Sequence, residues 1–153
     1  MRDDFAIFIL THGRPNKVIT VKTLERCGYS GKWYLVVDNE DTTLSEYQAL
    51  YGEDRVLIFD KLKTSKTFDT FDISTNRKTI AYARNECFDI ATTMGLKYFL
   101  ELDDDYCRFE YRYEENEKLM TQLITNLDEI CNSMIEFLED SGASSVAFAQ
   151  GGT

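Results

Sequence analysis

The sequence predicts an α/β fold in which a mostly parallel, Rossmann-like sheet is flanked by helices. Short apolar runs of strand character alternate with longer segments that carry apolar residues at helical spacing. The connections between these segments are short. This alternation is typical of a parallel sheet with helices on its faces. A chain of 153 residues is long enough for one such domain.

The first half of the chain supplies three strands and two helices. The strands are predicted at residues 5–10, 33–37 and 55–59. Pro15 suits the first turn of a helix, where its missing N–H is no loss, and Gly28 ends that helix. A short helix then runs to Gly52. Residues 64–74 are polar and threonine-rich, which predicts a loop.

The second half is predicted to contain two longer helices and three further strands. Apolar residues at helical spacing place the helices at residues 76–94 and 117–140. The strands are predicted at residues 98–102, 109–113 and 145–149. Because the chain stops just after the last of these, we expect residues 1–153 to be a single domain that forms the front part of a larger fold.

Composition and charge restrict the class of protein. Hydrophobic content is 43% and the formal net charge is −10. No run of about 18 apolar residues is present, so no membrane span is expected. The first residues do not form a secretory signal, which predicts a cytoplasmic protein. A chain this acidic is not expected to bind a DNA backbone over its whole surface.

The cysteines and the single histidine argue against zinc. The four cysteines are widely spaced and form no C-x-x-C motif. We therefore expect reduced thiols. Cys87 and Cys131 fall on apolar helix faces, where packing in the core is the expected role.

Three consecutive aspartates, Asp103, Asp104 and Asp105, follow the apolar run of the fourth strand. This arrangement is unfavourable for the stability of the fold, because adjacent carboxylates repel each other and Asp is a poor strand former. Side chains at i and i+2 leave a strand on the same side. Their hard oxygen atoms suit Mg²⁺ or Mn²⁺. The sequence therefore predicts a divalent cation at Asp103 and Asp105, bridging to a phosphate.

Polar residues follow the other strands as well. They are Thr11, His12 and Arg14 after the first strand, and Asp38, Asn39 and Glu40 after the second. The carboxyl ends of parallel strands share one edge, so these groups are expected to converge on the aspartates. The segment from Lys61 to Arg84 holds six cations and two anions in an otherwise acidic chain, which marks a candidate anion site.

Four motifs appear in order along the chain. They are residues 8–15 (FILTHGRP), residues 36–39 (VVDN), residues 83–85 (ARN) and the Asp103-x-Asp105 pair. Together they resemble those of GT-A fold glycosyltransferases, and most closely the bacteriophage TET-associated glycosyltransferases. The resemblance runs across nearly the whole chain. It implies that this chain is the nucleotide-sugar-binding half of a GT-A fold.

The resemblance also implies roles for individual residues. Asp105 would hold Mn²⁺ or Mg²⁺ against the diphosphate of a nucleotide-sugar, with UDP as the expected nucleotide. Asp103 would share the metal or lie near the ribose. Thr11 and Arg14 would line the nucleotide pocket, and Asp38 would accept a hydrogen bond from the base or ribose. Arg84 would reach the diphosphate or clamp the aspartates.

The implied activity is transfer of a sugar to an acceptor hydroxyl, such as that of a hydroxymethylated base in DNA or in a nucleotide. For a phage-encoded protein the location would be the host cytoplasm. GT-A enzymes bind the acceptor and place any general base in the C-terminal half, so no catalytic base is assigned in this chain.

Other interpretations of the residues stay open. Asp104 could cap the turn that follows it, Asp38 could be a turn former, and Arg84 could form a structural ion pair. His12 suits a hydrogen-bonded turn better than a catalytic base. The whole chain could be a non-catalytic nucleotide-binding or assembly module, or a sugar-phosphate nucleotidyltransferase. The Gly-rich basic loop that is usual in nucleotidyltransferases is only partly present after the first strand.

Overall fold

A four-stranded parallel sheet organises the protein in a computed structural model that describes residues 1–69 and 77–149. Its strands are β1 (Phe5–Leu10), β2 (Lys32–Asp38), β3 (Val56–Phe59) and β4 (Tyr98–Asp103). The order across the sheet is β3-β2-β1-β4, and every neighbouring pair is parallel. The predicted α/β fold with a parallel sheet flanked by helices is confirmed.

Five helices accompany this sheet in the described residues. They are α1 (Ile19–Arg26), α2 (Leu44–Tyr51), the single-turn α3 (Lys61–Thr64), α4 (Ala81–Thr93) and α5 (Leu127–Ser141). Pro15 begins a 3₁₀ turn ahead of α1, because its fixed φ suits a first helical turn. None of the helices in residues 1–69 and 77–149 has the length and apolar character needed to cross a bilayer.

The sheet separates two layers of core. Alternate residues of β1 face opposite sides, so Phe5, Ile7 and Ile9 pack with buried residues of α1, α2 and α5. Ala6, Phe8 and Leu10 pack with α4 on the other face. All six β1 residues are buried, which is why this strand is an uninterrupted apolar run.

The cysteines match the expectation from the sequence. All four lie in the described part of the chain and all are free thiols. Cys87 and Cys131 are buried in the two core layers as predicted, and Cys27 is buried beside α1. Cys107 is exposed.

The predicted helix over residues 117–140 is wrong in its first third. Residues Glu110–Glu115 form β5 and Lys118–Leu123 form β6, and the two strands pair as an antiparallel hairpin. Asn116 and Glu117 have φ values of 52° and 59°, as in the two-residue turns that match hairpin twist. The helical segment starts only at Leu127.

Two other boundaries also differ from prediction. Helix α4 begins at Ala81, so residues 77–80 are not helical, and residues 145–149 form no strand. The start of the predicted loop is occupied by the end of α3. Residues 70–74 of that loop, and Asn76 of the predicted helix, lie outside the described residues.

Gly28 and Gly95 both end helices in the left-handed conformation but have different surroundings. Gly28 follows α1 with φ +75°, and a Cβ there would lie 2.5 Å from the backbone oxygen of Thr125. Gly95 follows α4 with φ +68° and faces open space. Both positions require a residue that tolerates positive φ, but only Gly28 also requires the absence of a side chain.

We therefore expect Gly28→Ala to lower the free energy of unfolding by about 3 kcal/mol, because it combines backbone strain with a clash against a carbonyl. The matched control Gly95→Ala carries the strain alone and should cost about 1 kcal/mol. Urea unfolding of both variants measures the difference. Equal losses would show that the close approach of Gly28 to Thr125 is unimportant.

Candidate functional site

Polar residues converge where the carboxyl ends of β1, β2 and β4 meet. The chain passes from β1 to β2 on one side, whereas β4 joins β1 on the other side. Ligands of open α/β sheets bind at such a point, where the strand order reverses. Leu10 pairs with Asp103 in the ladder, so Thr11 and Asp104 follow side by side. This convergence was predicted from the sequence.

The central aspartate, Asp104, is fully buried and holds Arg14. Arg14 Nε donates to Asp104 Oδ2 at 2.9 Å, and its NH2 atom lies 2.7 Å from Oδ1. Thr11 Oγ1 also donates to Oδ2, at 2.6 Å. Of the predicted donor-binding residues, Thr11 and Arg14 are thus brought together by Asp104. Thr11 is buried, whereas the Arg14 side chain remains 51% exposed.

Tyr47 of α2 extends this network. Its hydroxyl accepts a hydrogen bond from the Arg14 backbone N–H at 3.0 Å and lies 2.8 Å from Thr11 Oγ1. Because the Thr11 proton points to Asp104, the Tyr47 hydroxyl donates to Thr11. Burial raises the pKa of Tyr47, so this hydroxyl keeps its proton at neutral pH. The turn after β1 is therefore held by a continuous chain of hydrogen bonds.

Helix α1 fixes the turn after β4. Thr20 Oγ1 donates to the carbonyl of Asp103 at 2.6 Å, and its backbone N–H donates to the carbonyl of Asp104 at 3.1 Å. The same hydroxyl oxygen accepts the Tyr106 N–H at 3.0 Å. Both ends of the aspartate run are therefore held by Thr20.

Asp38 is buried at the end of β2 and is surrounded by donors. His12 Nδ1 lies 2.8 Å from Asp38 Oδ2, and Lys61 Nζ donates to the same oxygen at 3.2 Å. The backbone N–H of Glu40 donates to Oδ1 at 3.1 Å. A carboxylate only accepts, so the His12 proton that faces Asp38 is on Nδ1. Three of about four lone-pair positions on Asp38 are thus used by the protein.

Asp41 supports the turn from the β2 side. It accepts the Gly13 backbone N–H at 2.7 Å and both the N–H and hydroxyl of Thr43 at 2.7 Å. Burial acts to raise the pKa of Asp41, but these hydrogen bonds together outweigh it and lower the pKa. Asp41 is therefore ionised at neutral pH and joins the two turns.

Arg84 of α4 bridges two acidic residues of β4. Its NH2 atom donates to Asp103 Oδ1 at 2.9 Å, and its NH1 atom donates to Glu101 Oε2 at 3.2 Å. Burial raises the pKa of Glu101, and the charge of Arg84 partly opposes that rise. The structure thus joins the predicted site residues Arg84 and Asp103.

The outer two aspartates face solvent while Asp104 does not. The side chain of Asp103 is 41% exposed and Asp105 is exposed. Strand β4 ends at Asp103, so Asp105 belongs to the turn and its direction is set by that turn rather than by strand alternation. Within residues 1–69 and 77–149, no group of three or more His, Cys, Asp or Glu residues is arranged to hold a metal.

Three of the six cations in the segment from Lys61 to Arg84 are paired with acids in the described residues. Lys61 bonds to Asp38, Arg84 bridges two acids of β4, and Arg77 NH2 lies 2.5 Å from Glu40 Oε1. Their positive charge is therefore directed at the acidic strand ends. The predicted anion site of this segment stays a prediction.

Sequence reasoning missed Glu101, Tyr47 and Asp41 as members of this edge. An acid inside an otherwise apolar strand was the available signal for Glu101, because a buried charge needs a partner. Tyr47 carried no such signal, since an aromatic residue on a short helix is ordinary core. Asp41 lies in an acidic turn whose hydrogen bonds only the fold reveals.

We expect Asp104→Asn to lower the free energy of unfolding by about 2 kcal/mol. It removes the buried charge that faces Arg14 and weakens the connection between β4 and β1. The loss of stability is limited because the half-exposed Arg14 side chain can still be solvated by water. Asp105→Asn is the matched control and should change stability by less than about 0.5 kcal/mol.

Chemical denaturation of the two variants at pH 7 measures both effects. If Asp104→Asn left the free energy of unfolding unchanged, the ion pair between Arg14 and Asp104 would not be what holds the turns together.

A family model for the TET-associated glycosyltransferases matches residues 5–153. Searches of curated proteins and of solved structures returned no match. The family match covers nearly the whole chain and confirms the resemblance that the four motifs predicted. Glycosyltransferases act on a sugar donor, and the convergent polar edge of this sheet is a suitable position for one. This chain belongs to the TET-associated glycosyltransferase family.

Proposed function

We propose that this chain binds a nucleotide-sugar, with UDP as the nucleotide, together with Mn²⁺ or Mg²⁺, and transfers the sugar to an acceptor hydroxyl. The observation that carries the proposal is the pair of exposed carboxylates, Asp103 and Asp105, at the end of β4. They lie beside the point where the strand order reverses, with Arg84 on the same edge.

The residues present fit a cation shared with a diphosphate. Magnesium keeps several waters and is usually bound by one or two carboxylates plus substrate phosphates, not by a cage of protein ligands. Asp103 and Asp105 offer the two carboxylates that this pattern uses. Asp103 and Asp105 would hold the cation. When bound, it would neutralise the diphosphate and stabilise negative charge on the leaving nucleotide.

The remaining predicted residues have different access to a donor. Arg14 has N–H groups beyond those on Asp104 and is half exposed, so it is proposed to contact the nucleotide directly. Thr11 is buried and is proposed to act by holding Asp104 and Tyr47 in place. Asp38 has one lone-pair position left, which is proposed to accept a hydrogen bond from the base or ribose.

The acceptor is proposed to be a hydroxymethylated base in DNA or in a nucleotide. The support for it is the family to which the chain belongs. With a net charge of −10, the protein is not expected to bind a DNA backbone over its whole surface. The protein is therefore proposed to contact DNA locally, at the reacting base.

We expect Asp105→Ala to abolish metal-dependent binding of UDP and UDP-sugars while leaving the fold intact or slightly more stable, because it removes a cation ligand and relieves carboxylate repulsion. Calorimetric titration with and without Mn²⁺, together with thermal unfolding, measures both.

Asp140→Ala is the charge-matched control. Its neighbour Glu139 contacts Lys97 and Tyr98 at the start of β4, so Asp140 is at the opposite edge of the sheet. Donor binding that is independent of metal, or retained in Asp105→Ala, would refute the site assignment.

Sugar transfer is tested with a labelled UDP-sugar and DNA duplexes or nucleotides that carry hydroxymethylated bases. We expect label in the product only with the divalent cation, and at least about a hundredfold less with Asp105→Ala, since the charge on the leaving group is then uncompensated. Unmodified DNA is the matched acceptor control. Metal-dependent binding without transfer or donor hydrolysis would favour a non-catalytic nucleotide-binding module instead.

A further inference from the structure

Arg84 holds two carboxylates of β4 with separate arms of its guanidinium group. Glu101 and Asp103 are two residues apart on this strand, so their side chains leave it on the same side. Arg84 NH1 binds Glu101 at 3.2 Å and NH2 binds Asp103 at 2.9 Å. A planar guanidinium with several fixed donors can serve two acceptors at once, whereas an ammonium group acts as a point charge.

The two carboxylates are held differently. The Glu101 side chain is only 18% exposed. The Asp103 side chain is 41% exposed and is the last residue of β4. Glu101 is therefore the fixed end of the bridge, and Asp103 is the end that solvent and ligands reach.

This geometry conflicts with a simple view of Asp103 as a free metal ligand. One of its oxygens already faces a cation, Arg84. A divalent ion at Asp103 must compete with that guanidinium for the same carboxylate. Once Asp103 turns to the ion, the NH2 donors of Arg84 lack an acceptor, and a diphosphate would supply one.

We propose that the guanidinium of Arg84 pairs with Asp103 until a divalent metal ion replaces it there. Glu101 is then the positioning residue that keeps Arg84 at the site after Asp103 has bound the metal. The inference rests on the proposed function, because it requires a cation and a diphosphate at this edge. Glu101 anchors NH1 throughout, so Arg84 exchanges only the partner of NH2, from Asp103 to a phosphate oxygen.

Metal and nucleotide binding are then coupled through one side chain. Arg84 opposes binding of the metal alone but assists binding of the metal with its nucleotide. Each ligand therefore raises the affinity for the other by the same factor. The site would therefore bind the free cation weakly and the cation–nucleotide pair tightly.

The test uses Arg84→Gln in the full chain, with Mn²⁺ alone and UDP as probes. Electron paramagnetic resonance of unbound Mn²⁺ gives the metal affinity, and calorimetry at saturating Mn²⁺ gives the UDP affinity. We expect Mn²⁺ alone to bind about threefold to tenfold more tightly, since a half-exposed competing ion pair is removed. UDP should bind about tenfold to a hundredfold more weakly, because a charged hydrogen-bond donor to the diphosphate is lost.

Lys97→Gln is the charge-matched control. Lys97 immediately precedes β4, at the opposite end from Asp103, and its side chain is 62% exposed. It should change neither affinity by more than about twofold, since screening removes most of its influence at that distance. An equal rise in Mn²⁺ affinity in Lys97→Gln would show that net charge alone explains the effect and would overturn the inference.

Glu101→Gln tests the anchor, because glutamine keeps the size of the side chain and removes its charge. We expect UDP affinity to fall about threefold to tenfold while binding of Mn²⁺ alone does not tighten. In the double variant with Arg84→Gln, UDP affinity should equal that of Arg84→Gln alone, because the anchor acts only through Arg84. Additive losses would instead indicate a purely structural role for Glu101 and would refute it as a positioning residue.

The outcomes separate this inference from the proposed function. If the wild-type chain shows no Mn²⁺-dependent binding of UDP, the proposed function fails and this inference fails with it. If the wild type binds UDP with Mn²⁺ through Asp105, but Arg84→Gln does not tighten Mn²⁺ alone, only the inference fails. Circular dichroism of each variant confirms that the fold is retained.

Discussion

The buried carboxylate of Asp104 is the contact on which the geometry of the whole edge depends. Two strands that are far apart in sequence, β1 and β4, meet there, and Asp104 joins their turns by accepting from Thr11 and Arg14. A buried charge needs this degree of pairing, or its desolvation would destabilise the fold. Once Asp104 is fixed, its exposed neighbours on either side are presented at the same edge.

A site that gathers several carboxylates in an acidic protein must limit the repulsion among them. Three of the acids at this edge are each paired with a basic group: Asp104 with Arg14, Asp38 with Lys61 and Glu101 with Arg84. Asp105 stands outside this pairing in the described part of the chain, and that leaves it available to a cation. The uneven distribution of charge along the sequence thus becomes an ordered arrangement in space.

Sequence alone predicted the parallel sheet and the convergence of its polar ends, because a strand buried on both faces leaves an unmistakable apolar run such as residues 5–10. It failed at the hairpin, since Leu119 and Leu123 mimic the spacing of a helix while being exposed on β6. The positive φ at Asn116 and Glu117 is invisible in composition. It also could not assign partners: which aspartate is buried depends on the register between β1 and β4.

The distribution of cysteines has a practical consequence. Three thiols are enclosed in the core, and Cys107, two residues beyond Asp105, is the exposed one among the four, all of which lie in the described residues. A maleimide dye would therefore attach at that thiol in the native sequence. The wild-type protein therefore carries its own attachment point for a fluorophore beside the acidic turn, without any engineering of the chain.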